Sequence, residues 1–263
     1  MGGGAHLILR SSGKTNVEPE SIYTGIVSKL ILPERCGCRP NERNGDKNGA
    51  YPEFFHGMYS LNYGVDAGVL YSTEHFSKCA FHLFFSAGAA TLPDIGVTSS
   101  NKIPVPANNT IYLKTYIENY RIINKVYSDS NLENLIDYFD APLSTNAFQE
   151  MSWGCKINRE MTLAVNPRRS TGAVELPADC YFSMAEFTDS RLYMRNGQEV
   201  RMTAVNSTVY NPWNSSTQTY EPIFDEELSR IYFQGDLTAL DSVVRGEYVS
   251  DRCKGSINGS MPY

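Results

Sequence analysis

The stretch from Tyr59 to Tyr71 constrains the fold most, because apolar and polar residues alternate along it. Its odd positions are apolar or aromatic, and its even positions are mostly small or polar. Side chains of a strand point to opposite faces in turn, so the pattern predicts a strand with one apolar face. Residues 80–87 alternate in the same way. Two neighbouring amphipathic strands predict a sheet packed against a second layer.

The opposite face of the first strand carries Gly64, Asp66 and Gly68. Glycines on a strand face leave room for a bulge, a covering loop or a ligand. The pattern does not decide among these three interpretations.

Further alternating runs predict nine to eleven strands in all, among them residues 21–32, 110–118, 121–127, 153–165 and 179–187. Hairpin turns are predicted at Asn119-Tyr120 and Asn196-Gly197. Helical spacing predicts two short helices, Asn131 to Phe139 and Phe224 to Phe233. Long loops rich in proline and glycine separate these segments. The whole indicates an all-β fold, an antiparallel two-sheet β-sandwich or jelly roll.

The ends of the chain differ in composition from its centre. Residues 1–20 and 254–263 are rich in glycine and polar residues, and they are expected to be flexible. Residues 21–253 contain no repeat and no clear linker, so they are expected to form a single β-sandwich domain.

Charge and hydropathy exclude several classes of protein. The net charge of −6 argues against a nucleic-acid partner, whose affinity depends on Lys and Arg. No apolar run approaches the roughly 20 residues of a transmembrane helix. The N-terminus is not a signal peptide. Four Asn-x-Ser/Thr sequons and six cysteines nevertheless favour a mature or trimmed extracellular protein over a cytosolic protein with reduced thiols.

The cysteines predict two or three disulfides in an exported protein, with the pairing left open. The spacing of the first two is C-x-C, and no second close pair completes a zinc site. The candidates are Cys36, Cys38, Cys79, Cys155, Cys180 and Cys253.

The order of the strands resembles the concanavalin A-like lectin/glucanase superfamily, including small secreted bacterial YrpD-like proteins. The resemblance covers about residues 20–210 and rests on the segments YGVDAGVLY, FHLFF, TIYLKTYIEN with RIINKVY, REMTLAV and YFSMAEFTDSRLY. It implies a two-sheet sandwich. The E-x-D-x-E and Q-x-H motifs of the enzymes in that superfamily are absent, so no catalytic residue is carried over from the resemblance.

No residue pattern identifies a catalytic centre. G-x-S-x-G, phosphate-binding, dinucleotide-binding and zinc motifs are missing. His82 is expected to be a hydrogen-bonded core or interface histidine. The carboxylates Asp66, Glu118, Glu160 and Glu186 fall on strands, and two on neighbouring strands could form an acid–base pair.

A glycan-binding face is predicted from aromatic, amide and charged residues: Asn62, Asp66, Tyr112, Tyr116, Arg159 and Trp213. Trp153 is expected in the core. No cofactor or metal site is predicted, although a Ca²⁺ ion near Asp66 would suit a lectin-like protein. The first functional hypothesis is a secreted, non-catalytic sandwich that binds glycan or another surface ligand. The alternatives are a polysaccharide lyase or glycosidase, and a structural protein that assembles into homo-oligomers.

Overall fold

The computed structural model describes residues 3–11, 23–39, 50–73, 79–94, 96–99, 101–165, 179–202, 207–210, 222–223, 231–234, 243–249 and 252–258. Within these ranges the chain forms eighteen strands and one helix, α1 (Thr145–Met151), which confirms the all-β prediction. The strands outnumber the nine to eleven expected because several of them span only two to four residues. They are β1 (Gly3–Ser11), β2 (Tyr23–Ile31), β3 (Cys36–Gly37), β4 (Ala50–Tyr59), β5 (Gly64–Ser72), β6 (Ala80–Ala87), β7 (Val97–Thr98), β8 (Thr110–Glu118), β9 (Arg121–Tyr127), β10 (Leu135–Pro142), β11 (Lys156–Val165), β12 (Tyr181–Met194), β13 (Glu199–Arg201), β14 (Ser207–Tyr210), β15 (Pro222–Ile223), β16 (Ile231–Gln234), β17 (Val243–Val249) and β18 (Arg252–Asn258).

The strands pair into two antiparallel sheets, as the sandwich prediction requires. Sheet A has the order β15-β14-β1-β11-β4-β5-β6-β7, and β16 also pairs with β1. Sheet B has the order β10-β9-β8-β2-β12-β18-β17, and β3 and β13 also pair with β12. The inner faces of the two sheets enclose one large apolar core.

The apolar residues that alternate along β5 contribute one side of this core. Val65, Ala67 and Val69 are buried and pack in one cluster with residues of β2 and β8. Tyr59 to Tyr71 is, however, not a single strand: Tyr59 is the last residue of β4, a turn follows, and β5 begins at Gly64. Leu61 lies in the turn and is 91% exposed. The turn residues happen to alternate between polar and apolar types, so the sequence pattern continues although the strand does not.

Strand β4 occupies part of a region that the sequence predicts to be a loop, residues 33–52. Pro52 argues against a central strand, because proline cannot donate a ladder hydrogen bond. In the structure Pro52 pairs with Leu163 of β11, while pairing with β5 begins only at Glu53. Pro52 therefore lies at a position where β4 pairs with a strand on one side only.

The helix predicted over Asn131 to Phe139 is wrong. The carboxylate of Asp129 accepts the backbone N–H groups of Asn131, Glu133 and Asn134, which holds a turn instead of a helix. Strand β10 then begins at Leu135 and pairs with β9. The helix of the structure is α1, which Ser144 caps by accepting a hydrogen bond from the backbone of Ala147.

The remaining local predictions have mixed outcomes. The hairpins at Asn119-Tyr120 and Asn196-Gly197 are confirmed by the pairs β8–β9 and β12–β13. Part of the second predicted helix is strand β16, and residues 224–230 lie outside the described residues. The terminal segments expected to be flexible contain β1 and part of β18, each paired within a sheet.

One disulfide, Cys38–Cys79, is present among the described residues. Cys36, Cys155 and Cys180 are free thiols, and burial raises the pKa of Cys155 and Cys180 to about 12. Such thiols are poor nucleophiles at neutral pH. The side chain of Cys253 lies outside the described part of the chain. No helix in that part is both long and apolar enough to cross a bilayer.

A buried polar network joins the two sheets through the middle of the apolar core. His56 of β4 forms hydrogen bonds with Ser28 of β2 at 2.9 Å and with Thr115 of β8 at 3.0 Å. Thr115 donates to the amide oxygen of Asn124, and the amide nitrogen of Asn124 donates to the backbone oxygen of Gly68 in β5. Each of these contacts uses a side chain with 0% exposure. The network therefore fixes the position of one sheet against the other.

The same network extends to a buried arginine. Arg159 of β11 has 0% exposure and donates to the hydroxyl of Ser190 at 2.9 Å, and Ser190 bonds to Ser28 at 2.6 Å. Burial, together with the nearby positive charge of Arg159, lowers the pKa of His56 to about 3. His56 is therefore neutral in the folded protein at physiological pH. This agrees with a histidine that supports the core.

We expect Thr115→Val to lower the free energy of unfolding by about 1–3 kcal/mol, because the partners of Thr115 lose a buried hydrogen bond. Chemical denaturation at pH 7 measures the change. Thr188→Val is the matched control, since Thr188 lies on the outer side of β12, opposite Lys29. Equal effects of both substitutions would show that the network does not stabilise the sandwich.

Candidate active site

The outer face of sheet A brings together three carboxyl side chains from three strands. They are Glu53 of β4, Asp66 of β5 and Glu160 of β11. Glu160 lies opposite Phe55, and Asp66 lies opposite Gly57. Residues opposite each other in an antiparallel pair point to the same side. The three carboxyls therefore share the face that points away from the core.

Glu53 has the most perturbed environment of the three. Loss of hydration is the largest cause, and the negative charges of Asp66 and Glu160 add to it, so that the pKa of Glu53 rises to about 8. No cation within the described residues forms an ion pair with Glu53. Its carboxyl group is therefore largely protonated at neutral pH. A protonated carboxyl is a proton donor, which is the role of a general acid.

Glu160 is the nearest carboxyl neighbour of Glu53 by register. Phe55 lies directly opposite Glu160, and Glu53 is two residues further along β4 on the same face. Such diagonal neighbours are roughly 7–8 Å apart between Cα atoms. Glu160 itself is only 4% exposed. Both side chains point to the same face, so the two carboxyl groups are neighbours on it.

Asp66 accepts a hydrogen bond from Tyr59, whose ring packs over Gly57 and Gly64. The hydroxyl of Tyr59 donates a hydrogen bond to the carboxylate of Asp66. A Cβ atom on Gly57 or Gly64 would come within 2.4 Å of the Tyr59 ring. Side chains at these two positions would displace the ring. The feature that covers Gly64 is therefore the Tyr59 ring, and Asp66 serves as its anchor.

Asn158 adds an amide to the same face. It lies opposite Gly57, two residues from Glu160 along β11, and is 1% exposed. Neither polar atom of its side chain has a hydrogen-bond partner within the described part of the chain. An unpaired buried amide costs free energy, so its presence beside the carboxyls marks a position suited to a polar ligand.

A pocket of about 200 Å³ opens beside Glu53. Tyr51, Leu70 and Phe84 supply its apolar and aromatic walls, while Ser72, Ser86 and Thr98 supply hydroxyl groups. Phe55 and Phe84 pack edge to face next to it, with ring centroids 5.9 Å apart. Mixed apolar and hydroxyl lining beside a perturbed carboxyl is typical of a small-ligand site.

The described residues contain no group of three or more His, Cys, Asp or Glu arranged to hold a metal ion. The Ca²⁺ ion considered near Asp66 remains an expectation from the sequence.

The structure separates the residues predicted to bind glycan. Asn62 lies in the turn before β5, where its backbone and side-chain amides donate to Glu150 at 2.8 Å. Asp66 lies on the outer face of sheet A. Tyr112 and Tyr116 lie on the outer face of sheet B, on the opposite side of the sandwich.

The other predicted aromatic and charged residues also have different environments. Arg159 is inside the core network described above. Trp213 lies outside the described residues. Trp153, expected in the core, is 69% exposed, and the guanidinium of Arg195 lies 3.8 Å from its ring centroid. The predicted glycan-binding residues therefore do not meet on one surface.

Sequence reasoning missed Glu53, the central carboxyl of the cluster. The segment AYPEFFHGMY alternates with period two, which could have placed Glu53 on a strand face with Phe55 and Tyr59. Pro52 concealed the strand. The neighbourhood of Glu53 and Glu160 depends on pairing between segments about a hundred residues apart, and no local pattern reports that pairing.

These features define an all-β sandwich protein with carboxyl groups on one outer face. No family model matches the chain, and no curated protein matches its sequence. Solved structures with a similar fold include Scytalido-glutamic peptidase with a peptide-based transition-state analogue. That structure is 11% identical, covers 97% of this chain and 96% of its own, and has a TM-score of 0.40.

Two further solved structures are similar over part of the chain. A glycosyl hydrolase family 16 protein from Mycobacterium smegmatis is 12% identical, with a TM-score of 0.34, over 65% of this chain and 67% of its own. A functionally unknown protein from Saccharomyces cerevisiae is 14% identical, with a TM-score of 0.27, over 61% and 83%. Such likenesses concern the fold alone.

We expect Glu53 to make stability depend on pH. Its pKa is higher in the folded state than in the unfolded chain, so folding favours the protonated form. The stabilisation is present below about pH 4.5, falls as the pH rises and is lost above about pH 8. The free energy of unfolding of wild type relative to Glu53→Gln should fall by at most about 5 kcal/mol between pH 4.5 and pH 9.

Urea denaturation of both proteins at several pH values measures this difference. Glu186→Gln on the outer side of β12 is the control, and it should keep the wild-type profile. A Glu53→Gln profile parallel to that of wild type would show that the carboxyl has an ordinary pKa.

Proposed function

We propose that this protein is a glycoside hydrolase acting on a neutral polysaccharide, with Glu53 as the general acid and Glu160 as the second carboxyl. The observation that carries the proposal is the raised pKa of Glu53, about 8, next to Glu160 on the adjacent strand. Strongly perturbed pKa values cluster at functional sites because catalysis needs a group that holds its proton at working pH.

The reaction uses the two carboxyls in complementary roles. Glu53 donates its proton to the glycosidic oxygen as the bond from that oxygen to the anomeric carbon breaks. Glu160 accepts a proton from a water molecule, whose oxygen forms the new bond to the anomeric carbon. Solvent then returns a proton to Glu53, and Glu160 releases the one it accepted.

The surroundings of the pair favour a neutral sugar. Asp66 and Glu160 make the face negative, which disfavours a substrate with carboxylate or sulfate groups. Aromatic walls at Tyr51 and Phe84 offer flat apolar surfaces, and the amide of Asn158 offers a hydrogen-bond donor and an acceptor. Asp66 helps to keep Glu53 protonated, because its charge raises the pKa of Glu53 more than that of Glu160 does.

The proposal includes an extracellular location. The Cys38–Cys79 disulfide supports it, since disulfides persist mainly in oxidising compartments. A sandwich that binds glycan on this face without cleaving it is the second candidate. The burial of Glu160 favours that candidate, because a buried carboxyl is less accessible to water. Self-association of the sandwich stays a prediction from the sequence.

We expect purified protein to release reducing ends from one member of a panel of neutral polysaccharides, such as β-glucan, xylan, mannan and galactan. Glu53→Gln and Glu160→Gln should each lower the rate at least about 100-fold, because general acid–base catalysis contributes that much. Glu186→Gln, on the other sheet, should keep the wild-type rate. The activity should decline above about pH 8, where Glu53 loses its proton.

The other outcomes separate the candidates. If wild type binds a polysaccharide but releases no reducing ends, the second candidate, a protein that binds glycan without cleaving it, replaces the proposed hydrolase. Cleavage of a denatured protein substrate, with no saccharide cleaved, would overturn the substrate class, since carboxyl pairs can also hydrolyse amide bonds. Full activity in both glutamine variants would place the chemistry elsewhere.

A further inference from the structure

The outer face of sheet B carries a row of cationic residues that crosses five adjacent strands. Lys125 of β9 lies opposite Lys114 of β8, and Lys114 lies opposite Val27 of β2. Val27 lies opposite Arg191 of β12, which lies opposite Arg201 of β13. Strands are about 4.8 Å apart, so the row extends roughly 19 Å across the sheet. We call these four cations and Val27 the cationic row.

The two lysines of the row are in an unfavourable arrangement. Like charges directly opposite each other on antiparallel strands destabilise a sheet. Burial lowers the pKa of Lys114, and the positive charge of Lys125 lowers it further, while the charges of Glu199 and Glu118 act in the opposite direction. A hydrogen bond with Tyr116 raises the pKa of Lys125. Within the described residues no carboxylate forms an ion pair with either lysine. An anionic ligand above them would relieve the repulsion.

The arginines of the row are only weakly neutralised. Arg191 contacts Glu199 at 3.4 Å, and Arg201 contacts Asp189 at 3.1 Å. Both pairs are exposed, and exposed ion pairs contribute little free energy. A pocket of about 220 Å³ opens beside Val27, the one uncharged position of the row, and Arg191, Arg201 and the Asp189 carboxylate paired with Arg201 contribute to its lining. A bound anion could thus reach both arginines.

Tyrosines border the cationic row on both sides. Tyr112 and Tyr127 face each other across β8 and β9, one pair further along the sheet. On the other side, Tyr116 and Tyr193 flank the ammonium group of Lys114, which lies 5.4 Å and 4.8 Å from their ring centroids. Cation–π contacts of this kind hold a lysine in place. The rings also provide amphipathic surfaces beside the charges.

We infer that the cationic row binds an extended acidic glycan, one that bears carboxylate or sulfate groups along its length. The charges of the row match the anionic groups, and the bordering tyrosines match the sugar rings between them. Nucleic acid fits less well, because its affinity depends on many Lys and Arg residues that contact phosphates, and the cationic row supplies four. The surface lies on the opposite side of the sandwich from Glu53. The inference is therefore independent of the proposed hydrolysis.

Titration calorimetry with dextran sulfate, polygalacturonate and uncharged dextran tests the inference at 50 mM and 200 mM NaCl. Wild type should bind at least one of the two charged polymers, more weakly at the higher salt concentration, and should not bind uncharged dextran. The double variant Lys114→Gln/Lys125→Gln should lose at least tenfold in affinity. Arg35→Gln/Lys102→Gln removes the same charge from exposed positions elsewhere, and it should bind as wild type does.

Thermal unfolding of each variant shows whether a loss of affinity comes from the removed charges or from an unfolded protein. Lys114→Gln/Lys125→Gln should keep a cooperative unfolding transition, because it removes the repulsion between the two lysines together with their cation–π contacts to Tyr116 and Tyr193. Hydrolysis of neutral polysaccharide should be unchanged in it, so failure here and failure of the proposed function are distinguishable. Three results would overturn the inference. The first is an equal loss of affinity in both double variants, and the second is that wild type binds neither charged polymer. The third is that wild type binds single-stranded DNA as tightly as the charged glycan.

Discussion

The sandwich depends on the hydrogen bonds that cross its core around His56. Apolar packing alone would let one sheet slide over the other, since the hydrophobic effect has no direction. The contacts of His56 with Ser28 and Thr115 have fixed geometry, and each would leave a buried polar atom unpaired if the sheets shifted. The polar network therefore selects one relative position of the sheets.

That fixed position separates two outer faces with opposite character. On sheet A, burial raises the pKa of Glu53, the charges of Asp66 and Glu160 on two other strands raise it further, and aromatic and hydroxyl groups line the pocket beside it. On sheet B, Lys114, Lys125, Arg191 and Arg201 lie in one row across the strands. Both clusters form between strands, so each depends on register. A shift of one residue would turn every one of these side chains to the other face.

Sequence reasoning recovered the parts of this arrangement that are local. Period-two patterns identified most of the long strands, and turn residues identified two hairpins. It failed where tertiary context overrides a local preference. Pro52 obscured strand β4, although proline is compatible with a position where a strand has a neighbour on one side only. Helical spacing over residues 131–139 was misleading, because Asp129 captures the backbone donors of a turn. Trp153 was expected in the core but lies on the surface.

The sequence by itself determined that the chain is an antiparallel sandwich, because alternation is a property of each strand alone. It also determined which side of the β5 residues faces inward: Val65, Ala67 and Val69 fill the core as their positions predict. Only the tertiary structure decided that Tyr59 to Tyr71 contains a turn, and that the Tyr59 ring folds back over Gly64 to reach Asp66. It alone placed Glu53 beside Glu160. Strand pairing joins residues that are far apart in the chain, and the free energy that selects one pairing is summed over the whole core.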